Sequence, residues 1–326
     1  MKPTRKCVFS LAATIATILI SISCWVGWPH TEPKYGGKPL SFWLDQYRGT
    51  LTTGSTARLA LREESAIAIR SMGTNAIPSL LGMLQESDST SILRFRALIS
   101  KLHVLGNSYP PATVRNETAA DGFEILGSGA ECAVPAITRV FEQNLSPSSQ
   151  GSAVFALAGI GRAAKNATPL LLRAATNGSS EVRWHALYGL AHIAGEDVAV
   201  PVLIHALGDT DINVQRQAVT GLAVFGAGAA PALPLLLGLA TNLHSSLRLE
   251  AISAIGQIRA SPETEIPTLI ICMRDERSIL RVASANSVAR FTTNARAAIP
   301  ALTDMLKDPE VPCQRAAEQA LAQIRP

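Results

Sequence analysis

An all-α, right-handed solenoid of stacked antiparallel helix pairs, with a period of about 33 residues, is the architecture expected of this chain. Three observations lead there. A proline recurs at a near-constant interval, a fixed pattern of apolar and small residues surrounds each copy, and the composition is rich in helix formers but poor in aromatics.

The chain is 326 residues long, 47% hydrophobic and only 5% aromatic, so its apolar mass is mostly Ala, Leu, Ile and Val. Ala and Leu are strong helix formers. The formal net charge of +4, part of it ahead of the first apolar run, is too small and too local for a nucleic-acid partner. Such a partner asks for a basic stripe along one face. The five cysteines (Cys7, Cys24, Cys132, Cys272 and Cys313) are widely spaced and contain no CxxC, which speaks against a zinc site. Cys132, Cys272 and Cys313 fall where other repeats carry small or apolar residues and are expected as buried free thiols.

Pro135, Pro169, Pro201, Pro234, Pro267 and Pro300 follow one another at intervals of 34, 32, 33, 33 and 33 residues. Two residues on stand Ile137, Leu171, Leu203, Leu236, Leu269 and Leu302. Proline suits the first helical turn, where its missing N–H has no helical partner to lose. Each proline is therefore expected to open a helix of the form Pro-x-Leu-Leu-x-x-Leu. A second helix precedes the next proline, starting at Val182, Val214, Leu247, Leu280 and Cys313. Four residues on come Ala186, Ala218, Ala251, Ser284 and Ala317, then Gly189, Gly221, Ala254, Ser287 and Ala320. Small residues on one stripe of a helix let a neighbouring backbone approach closely. The pattern extends back to Ala153, Ala119 and, more loosely, Ala68 before Pro78. Between Pro78 and Pro135 the spacing is 57, and an irregular helix near 91–105 is expected in the excess.

The clearest copy reads Val182-Arg183-Trp184-His185-Ala186-Leu187-Tyr188-Gly189-Leu190-Ala191-His192-Ile193. With the Pro-x-Leu that follows, it resembles the HEAT-repeat family, especially the short bacterial form first known from phycobilin lyases. The resemblance covers about 58–325. It implies a curved surface that binds a protein partner, or alternatively a lyase-like or accessory enzyme role.

Lys2, Arg5 and Lys6 precede an uncharged apolar run over 8–28, long enough to cross a bilayer as a helix. Basic residues before the run and Trp25 and Trp28 at its far end predict an inside N-terminus and an interfacial belt. The expected organisation is a cytoplasmic stub at 1–7, a transmembrane anchor at 8–28, a Pro/Gly linker with a capping helix at 29–56 and the solenoid at 57–326. That places the solenoid outside the cytoplasmic membrane, periplasmic or extracellular. Cleavage as a signal peptide and lipidation at Cys24 stay open. The Pro and Gly density of 29–39 leaves no regular element there. After it, Leu40, Trp43, Leu44 and Tyr47 share one helix face. That face either caps the first repeat or binds a partner. The segment Gly37-Lys38-Pro39-Leu40-Ser41-Phe42-Trp43-Leu44 also looks like the leader of anchored HEAT-repeat proteins from some environmental bacteria.

Asn177, Asp209, Asn242, Asp275 and Asp308 end the proline helices, and six residues later stand Arg183, Gln215, Arg248, Arg281 and Gln314. Asn and Asp cap turns and helix starts, so this column is read as a structural link between repeats. His185, His192 and His205 lack carboxylates at ligand spacing, and no His-Glu pair occurs in the chain, so no metal is expected. No Gly-x-Ser-x-Gly, His-Glu-x-x-His or phosphate-binding Gly-x-x-x-x-Gly-Lys-Ser/Thr is present. No catalytic residue, cofactor or small-molecule substrate is expected. Gly159-Ile160-Gly161 reads as a helix end.

Four residues after each proline the sequence runs Gly82, Arg139, Arg173, His205, Gly238, Ile271 and Asp304, mixed in charge and size. A repeating ligand would favour a repeating residue, so an irregular protein partner is expected. Arg139, Arg173, Trp184 and His205 are the candidate contacts, since Arg and aromatic residues dominate interface hot spots.

Overall fold

A computed structural model of the chain describes residues 32–49, 56–88 and 110–324. The chain divides into two compact units, 1–82 and 83–326.

The first unit opens with a hairpin of β1 (Lys34–Tyr35) and β2 (Lys38–Pro39). The sequence reading left no regular element there. Gly36 and Gly37, at φ 57° and 78°, supply the two left-handed positions that a two-residue hairpin turn needs. Helix α1 (Leu40–Gly49) buries Leu40, Trp43, Leu44 and Tyr47, the face expected from their spacing, and packs on α2 (Thr56–Met72). Trp43 Nε1 donates to the Tyr35 carbonyl at 3.3 Å, tying helix to hairpin. Arg62 Nη2 donates to the Tyr47 hydroxyl at 2.7 Å. The unit ends within α3 (Ile77–Leu84).

The second unit comprises α4 (Ala112–Leu126), α5 (Val134–Gln143), α6 (Pro147–Ile160), α7 (Thr168–Ala174) and α8 (Ser180–Ile193). It continues with α9 (Glu196–Ala206), α10 (Ile212–Val224), α11 (Leu233–Thr241) and α12 (Arg248–Ile258). The last helices are α13 (Pro262–Cys272), α14 (Ser278–Ala289), α15 (Ile299–Met305) and α16 (Val311–Ile324). From α4 onward each even-numbered helix packs on the next even-numbered one, and each odd-numbered helix packs on the even-numbered helix that follows it. This is an all-α solenoid of two helix rows. Its core is the pattern seen in the sequence: Ile137, Leu171, Leu203, Leu236, Leu269 and Leu302 are 0% exposed, as are Ala153, Ala186, Ala218, Ala251, Ser284 and Ala317. Burying each such Leu contributes about 1.5–3 kcal/mol.

Pro135, Pro169, Pro234 and Pro300 do open helices, after short 3-10 turns. Gly161 and Gly226 enter two of these turns at φ 72° and 52°. So Gly159-Ile160-Gly161 is a helix end, as expected. Pro201 and Pro267 instead lie inside α9 and α13, which start several residues earlier. Local start signals override the proline there. Glu196 and Asp197 occupy the first turn of α9, where carboxylates suit the helix dipole. In α13 Pro262 takes the opening position, and the buried Glu265 carboxylate accepts the Ser261 N–H at 2.8 Å.

Two further expectations are corrected. Cys272 and Cys313 are buried free thiols, but Cys132 is exposed, because it lies in the 3-10 turn before α5 rather than on a core face. The single-pass membrane placement does not stand: among the described residues no helix is long and apolar enough to cross a membrane. The longest, α2, has 17 residues and carries Arg58, Arg62, Glu63, Glu64 and Arg70. The stub at 1–7, the apolar run at 8–28 with Cys24, and the helix expected near 91–105 lie outside the described residues.

Candidate partner-binding faces

The polar column between repeats is fully engaged in holding the fold. Each of its Asn and Asp side chains accepts the backbone N–H two residues on: Asn177 from Ser179, Asp209 from Asp211, Asn242 from His244, Asp275 from Arg277 and Asp308 from Glu310, at 2.8–3.0 Å. The arginines then bridge repeats. Arg183 makes a forked pair with Asp209 of the next repeat at 2.7 and 2.8 Å and donates to its own repeat's Asn177 carbonyl at 2.9 Å. Arg281 repeats this with Asp308 and the Asp275 carbonyl. Arg248 pairs with Asp275 at 2.5 Å and donates to the Ala240 carbonyl. Gln215 and Gln314, which carry no charge, donate instead to the carbonyls of Asp209 and Asp308. The Arg183 guanidinium holds Asp209 below the usual carboxylate range, and Arg281 does the same to Asp308.

What remains for a partner is the outer surface of each row. On the odd-numbered helices Arg139 (α5), Arg173 (α7), His205 (α9), Gly238 (α11), Ile271 (α13) and Asp304 (α15) are all exposed. Arg173 meets Glu142 of α5 at 3.1 Å, with both side chains more than half exposed, 64% and 52%. Leu172 and Leu235 also emerge on this row. The sequence reading passed over them, although a signal was present. Each belongs to a run of consecutive leucines, and a helix turned toward its core cannot bury three in succession.

Trp184 lies apart from the other three candidates, on the even-numbered row. There it joins Phe155 of α6 and His185, Tyr188 and His192 of α8. The Trp184 and Tyr188 rings are parallel with centroids 6.0 Å apart, and Phe155 lies 5.4 Å from Tyr188 and 5.6 Å from His185. Tyr188 and His192 are 4.2 Å apart. His185 Nδ1 lies 2.8 Å from the Glu181 carbonyl and His192 Nδ1 lies 2.7 Å from the Tyr188 carbonyl. A carbonyl only accepts, so both rings carry their hydrogen on Nδ1, and the neutral imidazole keeps Nε2 as acceptor. Burial lowers the His185 pKa against the opposing pull of the Glu181 carbonyl and the Glu117 charge. Gly151 makes room for this ring, since a Cβ there would stand 3.1 Å from His185 Nδ1 and 3.3 Å from Glu181 Oε1. Burial, and then the Glu117 charge, raise the Glu181 pKa. Among the described residues no three His, Cys, Asp or Glu side chains gather closely enough to hold a metal ion. The cluster was partly legible as Trp184 and a histidine pair seven residues apart. Tyr188 follows Trp184 by one turn of the same helix, and Phe155 joins only because α6 packs beside α8.

Paired helices, a repeating core and a bridging Asp–Arg ladder define an α-solenoid repeat protein. A family model described as HEAT repeats matches residues 134–223, 200–281 and 233–322, together more than half of the chain. The chain belongs to the HEAT-repeat family. Among solved structures it is similar to the YibA protein of Escherichia coli, with a TM-score of 0.52 and 13% identity over 90% of this chain and 98% of that one. An engineered protein is similar at a TM-score of 0.46 and 19% identity, covering 87% of this chain and 84% of that one. Kap95p, solved with RanGDP, is similar at a TM-score of 0.47 and 12% identity, covering 87% of this chain and 46% of that one. At these identities the likeness concerns the fold alone. No curated protein matches.

Proposed function

We propose that this HEAT-repeat solenoid is a non-enzymatic scaffold that seats a protein partner on the exposed row of odd-numbered helices, through Arg139, Arg173 and His205. One observation carries the reading. The buried positions repeat from helix to helix, whereas the exposed position four residues after each proline keeps neither charge nor size along the row: Arg, Arg, His, Gly, Ile, Asp. Packing explains the first pattern and places no demand on the second, and solenoids of this kind present extended surfaces. Exposed Ile271 and Leu235 add apolar area beside the charged groups.

The test is crosslinking of the full chain in its source cells, followed by mass spectrometry of what is captured. The Arg139→Ala/Arg173→Ala/His205→Ala chain is expected to lose a dominant protein partner while keeping its helical content and melting temperature. All three side chains are exposed, and the open Arg173–Glu142 pair adds little stability. An unchanged set of captured proteins overturns the assignment to this row.

A further inference from the structure

The even-numbered row carries a second set of groups that packing does not use. Trp184 and Tyr188 keep part of their surface in solvent and present parallel rings. Cations that meet rings elsewhere, Lys38 with Phe42 and Trp43 and Arg62 with Tyr47, all belong to the first unit. Among the described residues none lies over Trp184, Tyr188 or Phe155. Arg183, next to Trp184 in sequence, is already engaged in its fork on Asp209, and Arg216 of the neighbouring α10 is engaged on Glu250 at 2.7 Å and Asn213 at 2.9 Å. The carboxylates beside the rings are not. Glu181 in the first turn of α8 and exposed Glu124 on α4 take part in no ion pair or side-chain hydrogen bond among the described residues, and Glu124 sits against α6 one turn from Phe155, where a Cβ on Gly159 would stand 2.6 Å from Glu124 Cα. A chain of net charge +4 thus presents here a locally negative, aromatic surface.

We propose that this face of α6 and α8 docks a basic segment of a protein partner, an Arg or Lys side chain lying over the Trp184 and Tyr188 rings with its charge met by Glu181 and Glu124. Trp is the best ring for a cation, and a guanidinium both stacks on it and forks to a carboxylate. The same carboxylates repel phosphate, which disfavours nucleic acid or anionic lipid as the occupant. The inference rests on the scaffold reading but concerns a different face, so the two can fail separately.

The test uses the full chain and a fluorescein-labelled nona-arginine peptide, with binding followed by anisotropy. Trp184→Ala and Glu181→Gln are each expected to weaken binding about tenfold, and Trp184→Phe to retain most of it. The Arg139→Ala/Arg173→Ala/His205→Ala chain should bind the peptide as the parent does. Glu181→Gln removes a charge from a side chain that makes no ion pair or hydrogen bond among the described residues, so it keeps the test decisive even if Trp184→Ala disturbs folding. A parent chain that holds the peptide no more tightly than Glu181→Gln overturns the proposal. A partner lost only in the odd-row triple variant would still stand in that case, which separates failure here from failure of the scaffold reading.

Discussion

Arg281 joins three segments of chain with one guanidinium, and Asp308 is its counterpart: side chains only 12% and 9% exposed, paired at 2.7 and 2.8 Å. Removing one partner of such a pair leaves the other charge desolvated. Arg281→Ala is expected to lower stability by about 3 kcal/mol, read from the urea midpoint. The pair also sets an acid limit. Because the fold depresses the pKa of Asp308 and of Asp209, their contribution is complete above the unfolded carboxylate value of about 4 and is lost as pH falls below it through the depressed folded-state values. Urea midpoints should drop steadily between about pH 5 and pH 2, and Asp308→Asn should flatten that slope. The column was readable in the sequence because Asn or Asp and the Arg or Gln six residues later meet within one short loop. Cys132 was misread because a position within the period does not say whether it falls on a helix or in a turn.

Between helices, the distance of approach is set by residues with little or no side chain. A Cβ on Gly256 of α12 would lie 2.5 Å from Ser287 Cβ and 2.7 Å from Ser287 Cα of α14. Backbone cannot rotate away as a side chain can, so Gly256→Ala should push the two helices apart. A loss of about 1–3 kcal/mol is expected by thermal or urea unfolding. Gly238 on α11 is the control. It is exposed with nothing within 4 Å, so Gly238→Ala should stabilise by about 0.5–1 kcal/mol through helix propensity. At this scale the sequence misplaced two helix starts. Pro201 and Pro267 keep the period, yet the acidic first turn of α9 and the Ser261-Pro262 start of α13 extend those helices backward past them. Only the residue count between helices was periodic, not the chemistry that begins each one.

For the second unit as a whole, stability is close to a sum of repeat and neighbour terms, so damage at a shared surface reaches two repeats at once. Ala218 is 0% exposed on α10, in the row that packs against α8 and α12. Ala218→Asp would bury an unpaired carboxylate there and should cost more than about 4 kcal/mol or abolish a single cooperative transition. Lys307 is exposed beyond α15, and Lys307→Glu should stay within about 0.5 kcal/mol. Circular dichroism melts of the two chains make the comparison.

The period, the helix pairing and the core columns follow from the sequence alone, because a repeat buries its apolar stripe only against copies of itself and so writes the same residues at the same interval. The Asp–Arg ladder follows for the same reason. Which exposed residues share a surface was decided by tertiary packing. Trp184 belonged with Arg139, Arg173 and His205 on grounds of residue type, but the helix rows separate it from them and set its own helix, with Tyr188 stacked on it, beside Phe155 of α6. Solvent-facing positions obey no packing period, so only the order of helices in space brings them together.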